Sequence, residues 1–327
     1  MFRVCKIVFV HEKTFAWLSA YGTALWLALA LATGLVFAAA FPTDGLQSAR
    51  HLMLGWPTQW LVIAPFFFLV GLELRREFQH GALTPLPNAL SPALAAIIGV
   101  VLPALWFLVV TQGTEFQSGW PIPTATDVTF ALAVYTAFGR LLPRGARTFL
   151  LAFAVIDDVI AVVLITCVFG FSADSGFAEL LPAVLGLALP VRWPARLERN
   201  LAVYLNVFGL PVFAFFMAAT PLPALAGVTG SVVFWGVVAR PVWKWLGVFL
   251  GGQIGQRWAV GDMKLQVAVL ARVASLGGIG FTVSLLVAGI AFKSNQEAFS
   301  AALVSTFIAS IISALVSAAV LVRGHRS

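Results

Sequence analysis

Residues 153 to 164 read FAVIDDVIAVVL, an apolar run broken only by the adjacent carboxylates Asp157 and Asp158. A charge at the centre of a bilayer costs at least about 2.5–3.5 kcal/mol, so a pair there needs partners or a ligand. On a helix the two point about 100° apart and address different neighbours. Carboxylate oxygens suit hard cations such as Na⁺ or Li⁺. Burial and a neighbouring like charge favour the protonated form, so the same oxygens can take a proton near neutral pH. A site that holds a cation or a proton, never both, is sufficient for exchange. The plainer reading is a pair that cements helices together.

A third carboxylate, Asp127, follows Thr126 in IPTATDVTFALAV. It is either a helix N-cap or part of the same site. Two arginines sit in apolar surroundings, Arg240 in VVARPVWKW and Arg272 in VLARVASLGG. Arginine keeps its proton in proteins, so each needs a partner or must snorkel to the membrane surface. Arg240 is expected to reach Asp157 and balance its charge. In FFFLVGLELRREFQHG, Glu73 and Glu77 share a helix face with Arg76 beside them. They form either a solvated helix end or a pH-responsive cluster at the mouth of an ion funnel.

The elements that must position these groups follow from composition. The chain is 61% hydrophobic and 10% charged over 327 residues, with mean hydropathy +0.97. That is far too little charge to cover a water-facing surface. Apolar stretches long enough to cross a roughly 30 Å hydrocarbon core recur throughout. The fold class is all-α polytopic membrane protein, one integral domain over 1–327. About ten spans are expected, at 15–40, 58–74, 89–110, 122–138, 147–171, 177–190, 201–218, 225–247, 265–291 and 299–322. With both termini cytoplasmic, most of the basic residues fall on one side, including Arg75, Arg144, Arg196, Lys244 and Arg257, against Arg50 and Lys293 opposite, in a chain of net charge +7. The basic residues lie in short loops, an orientation signal that argues against a nucleic-acid partner. Cys5 and Cys167 are far apart and predict no disulfide framework. The basic N-terminus lacks the apolar length and cleavage pattern of a signal peptide.

Ten spans divide into two halves of five, and an odd-numbered half sets its copy upside down, a 5+5 inverted repeat. In secondary transporters built this way the site lies where matching helices are broken. The fourth span carries Pro121 and Pro123 ahead of Asp127; the ninth carries Gly277, Gly278 and Gly280 ahead of Thr282. Both are predicted to be discontinuous helices, because proline and glycine disfavour continuous helix.

The strings FFFLVGLELRREFQHGAL, IPTATDVTFALAV, FLLAFAVIDDVIAVVLI, LPVFAF and GGIGFTVSLLVAGIAF, in order along most of the chain, resemble the bacterial NhaA-type sodium–proton antiporters. Broken helices are already known for NhaA itself, so the argument from breaks is shared with that family. The resemblance implies that Asp158 is the main cation ligand and proton carrier with Asp157 beside it. It places Thr126 and Asp127 at the helix crossing, and makes Glu73, Arg76 and Glu77 the pH-response cluster. It further implies a core (89–171 and 225–322) moving against a panel (15–74 and 177–218), location in the bacterial inner membrane, and a homodimer. Three departures stand out. Two spans typical of the family are missing after the Asp-pair helix. Arg240-Pro241 stands where the family has lysine-proline, putting stoichiometry and electrogenicity in question. Glu179 stands where a family histidine is expected.

The leading expectation is exchange of Na⁺ or Li⁺ for H⁺ with no further cofactor, since no phosphate-binding loop of the Walker type appears. A sodium-coupled organic-anion transporter, like the bile-acid symporters, is the alternative. An intramembrane aspartyl protease would need a Gly-x-Gly-Asp string, and GGIG is followed by Phe281. A single carboxylate pair suits alternating access better than a channel ring.

Overall fold

A computed structural model describes residues 86–139, 141–169, 203–218 and 225–323, with shorter pieces between residues 22 and 75 and between 182 and 201. Among the described residues every regular element is helical. In chain order these are α1 (Leu25–Gly34), α2 (Leu86–Val110), α3 (Val128–Phe138) and α4 (Arg144–Phe169). Then come α5 (Leu210–Ala218), α6 (Leu225–Thr229), α7 (Val232–Val238) and α8 (Arg240–Gly255). The last are α9 (Val267–Ala274), α10 (Thr282–Ala291) and α11 (Gln296–Arg323).

Four of the described helical stretches are long and apolar enough to cross a membrane, and a fifth span results if α9 and α10 count as one bent helix. The chain is thus a multi-pass helical membrane protein. Glu73, Arg76 and Glu77 lie outside the described residues, as does most of the second and sixth expected spans. The eighth span differs from its expected bounds. Residues 225–229 form the separate short helix α6, and the membrane-length stretch is Val232–Gly255. Lys244, expected at the cytoplasmic surface, therefore lies mid-span and is fully buried.

Among the described residues the most extensive helix pair is α8 against α2. Its seam is a row of glycines spaced by four: Gly247, Gly251 and Gly255. A methyl group on Gly251 would lie 2.1 Å from the Leu94 carbonyl oxygen, and one on Gly255 2.3 Å from Ser91 Cα. Small residues at this spacing let backbones touch where no hydrophobic force drives helices together. Ser91 Oγ donates to the Gly252 carbonyl at 2.9 Å and accepts from Gln256 Nε2 at 2.9 Å. Gln256 Oε1 accepts the Leu265 amide at 2.7 Å, tying down the turn into α9. Phe149, Phe153, Val248, Leu270, Leu276 and Phe299 are buried in the common core. Elsewhere α1 packs on α5, with Gly34 against the Phe215 carbonyl. Trp26 Nε1 donates to the Val207 carbonyl at 2.8 Å.

Irregular backbone lies at both predicted positions, and the second interrupts a bent helix pair. A 3₁₀ turn at Ile122–Thr124 gives way to extended backbone at Ala125 before α3 begins. Helix α9 runs into a 3₁₀ turn at Ser275–Gly278. The chain is then extended at Ile279, and α10 leaves at 45° to the first part. Proline removes an amide donor in the first case. In the second, glycine lowers the cost of leaving the helix and admits a neighbour's backbone.

Candidate functional site

The two breaks lie against each other. The Asp127 amide donates to the Ile279 carbonyl at 2.7 Å, and Thr126 Oγ1 donates to the Gly277 carbonyl at 2.8 Å. Each unwound segment thus supplies hydrogen-bond partners to the other, as backbone at membrane depth requires. The approach is close enough to demand glycine at 280, where a methyl would stand 2.4 Å from the Ala125 carbonyl oxygen.

Charged side chains meet the exposed helix ends in complementary fashion. Asp127 occupies the N-cap position of α3, yet its side chain makes no cap bond there. Its Oδ2 reaches across instead and accepts from the Thr282 hydroxyl at 2.8 Å and the Thr282 amide at 3.4 Å, at the N-terminus of α10. The N-cap expected from the sequence therefore serves the partner helix. Lys244 Nζ donates to the Thr124 carbonyl, at the end of the 3₁₀ turn Ile122–Thr124.

Lys244 also carries the ion pair. Its Nζ lies 2.6 Å from Asp157 Oδ1, with side-chain exposures of 0% and 1%, so neither charge is solvated. Asp157 Oδ2 accepts the Thr126 amide at 3.1 Å, and the Phe153 ring centroid lies 5.7 Å from Nζ, within reach of a cation–π contact. Helix α4 therefore docks onto the unwound segment through the carboxylate that the sequence singles out. Asp158, next in the chain and pointing to a different neighbour, is half-buried.

Arg240 corrects the expected pairing. It is fully buried, but among the described residues its hydrogen bonds go to neutral oxygens. Nη1 donates to Ser284 Oγ at 3.1 Å; Nη2 donates to Ser310 Oγ at 2.6 Å and to the Thr306 carbonyl at 3.3 Å. Ser310 Oγ donates to the Gly280 carbonyl, and Ser284 Oγ to that of Ile122. Arg240 thus holds α10, α11 and both breaks together, while Lys244, one turn further along α8, meets the carboxylate. The two cations are four residues apart, which sets them on one face of α8. Arg272 is half-buried on α9, and its carbonyl accepts from Ser275 Oγ at 2.7 Å.

Comparison with known proteins adds a second line of observation. The family model described as Na⁺/H⁺ antiporter 1 matches residues 37–193 and 182–321. The chain is similar to "Na(+)/H(+) antiporter NhaA 2" of Clavibacter michiganensis, with 35% identity covering 86% of this chain and 81% of the relative. It is 34% identical to "Na(+)/H(+) antiporter NhaA" of Mycolicibacterium smegmatis, covering 80% of this chain and 73% of that one. The match to "Na(+)/H(+) antiporter NhaA 2" of Mycolicibacterium gilvum is 31% identical and covers 92% and 85%. That last alignment runs over 383 positions, more than the 327 residues present, so the relative carries residues with no counterpart here.

Proposed function

The chain belongs to the Na⁺/H⁺ antiporter 1 family, and from that premise we propose that it exchanges Na⁺ or Li⁺ for H⁺ by alternating access, with both ions competing for Asp158 and Asp157. The observation that carries this reading is the buried Lys244–Asp157 pair set directly on the unwound crossing. A cation arriving at the carboxylates competes with the Lys244 ammonium for the same oxygen. Lysine, unlike arginine, can give up its proton when buried, so displacement of the ammonium is a route for a second proton. Charge compensation at Asp157 is thereby assigned to Lys244, and Arg240 keeps a fixed charge. Thr126 and Asp127 hold the crossing in register, and Asp158, half-buried beside the pair, is the group a cation meets first.

The rest of the account extends the same premise. Matching breaks in the fourth and ninth spans support a 5+5 inverted repeat. The mutual packing of α2, α4, α8, α9, α10 and α11 supports a core of 89–171 and 225–322. The contact of α1 with α5 supports a panel of 15–74 and 177–218 against which the core rocks. On this reading the protein lies in the bacterial inner membrane with both termini cytoplasmic, and Glu73, Arg76 and Glu77 form its pH-response cluster.

The test is the pH gradient of everted vesicles, followed by a fluorescent amine on adding Na⁺, Li⁺ or K⁺. Dequenching on Na⁺ or Li⁺ is expected in the unmodified protein and none in Asp158→Asn. Full activity in that variant would remove Asp158 from its role.

A further inference from the structure

Among the described residues the buried side-chain polar atoms without a hydrogen-bond partner are Arg240 Nε, Gln253 Oε1, Thr306 Oγ1, Ser313 Oγ and Ser317 Oγ. Four of these five belong to one feature. Thr306, Ser310, Ser313 and Ser317 recur at intervals of four, three and four, so they form a single stripe along α11. All are at most 1% exposed. Arg240 sits on that stripe, bonded to Ser310 Oγ and the Thr306 carbonyl. Ser313 faces the second break, with its Oγ 2.5 Å from where a methyl on Gly278 would be.

Close packing alone does not call for hydroxyls here. The same helix buries Ala301, Ala302 and Ala309 at 0–1% exposure. An unpaired buried hydroxyl carries a desolvation cost that alanine would avoid. Buried water makes about three hydrogen bonds to polar groups of this kind. We infer that the hydroxyl face of α11 from Ser317 to Thr306 carries a single file of water that ends on Arg240, whose fixed charge closes it to protons and cations. Over eleven residues the file is about 17 Å long. Because arginine keeps its proton, the guanidinium cannot relay one. A permanent positive charge at a constriction repels cations, as in water-selective pores. Arg240 is then a barrier between the file and the Thr126–Asp157 crossing, a role a lysine free to deprotonate fills less securely. This goes beyond ion exchange at the Asp pair, which stands or falls separately.

Two measurements on the full chain test it. The first is the thermal midpoint of purified Thr306→Val, Ser313→Ala and Ser317→Ala. If the stripe holds water, each variant strands its neighbours' water bonds, lowers the midpoint, and combines non-additively with the next. If it is dry, each variant only deletes an unpaired oxygen, and the midpoint stays or rises. The second is passive proton leak through proteoliposomes in the absence of Na⁺ and Li⁺. Arg240→Gln is expected to raise the leak at least tenfold over unmodified protein and Arg240→Lys much less, with Ser313→Ala suppressing the leak of Arg240→Gln. Unchanged or raised midpoints in all three hydroxyl variants overturn the proposal. So does a leak no greater than wild type from folded Arg240→Gln.

Discussion

Lys244→Met leaves Asp157 as a buried carboxylate holding the Thr126 amide but no cation. Breaking a buried ion pair from one side costs about 3–5 kcal/mol, because the surviving charge is neither solvated nor matched. At roughly 2.1 cal/mol/K of unfolding entropy per residue, a chain of 327 residues loses about 1.5 °C of thermal midpoint per kcal/mol. The expected fall is therefore about 4–7 °C, read from intrinsic tryptophan fluorescence of the detergent-solubilised protein. Removing both charges in Lys244→Met/Asp157→Asn is expected to recover most of the midpoint, a coupling of at least about 2 kcal/mol. The same cycle between Arg240→Met and Asp157→Asn is expected to show weaker coupling, since Arg240 bonds to hydroxyl and carbonyl oxygens. Additive effects at Lys244 and Asp157, or stronger coupling at Arg240, would refute the assignment of the pair.

Gly280→Ala puts a methyl 2.4 Å from the Ala125 carbonyl oxygen and 3.1 Å from Arg240 Nη1; exchange in proteoliposomes should drop at least tenfold. Gly277→Ala meets Val248 Cγ2 at 3.2 Å, a side chain able to shift, and should keep most of its rate. Thr282→Val removes the hydroxyl that donates to Asp127 at 2.8 Å. A hydrogen bond to a charged group is worth about 1.5–3 kcal/mol, so the midpoint should fall by about 2–5 °C, and Thr282→Ser should restore it.

Where the chain breaks was legible in the sequence, because proline and glycine act locally. Pro121, Pro123, Gly277 and Gly278 sit at the irregular segments, where they are clustered, whereas Pro92 and Pro103 stand apart and leave α2 continuous. Asp157 was legible for the opposite reason: a carboxylate in an apolar run is costly enough to demand an explanation. Its partner was not. Lys244, flanked by Trp243 and Trp245 near the expected end of a span, has the composition of a membrane-interface anchor. Only the placement of α8 against α2 and α4 turns it inward. Arg240 drew attention as the family's lysine position, yet its neutral partners Ser284 and Ser310 come from helices 44 and 70 residues away. The direction of Asp127 was likewise ambiguous. Its own helix and the facing one both offer amide donors, and the tertiary crossing decides between them.

Competition between cation and proton at the carboxylates is tested most directly by proton release from the purified protein in weakly buffered detergent. Adding Na⁺ or Li⁺ to the unmodified protein should acidify the solution, with apparent affinity weakening about tenfold per pH unit on the acid side. Asp158→Asn should release little or nothing. Saturable Na⁺ binding with no proton release, or with an affinity indifferent to pH, would contradict the account.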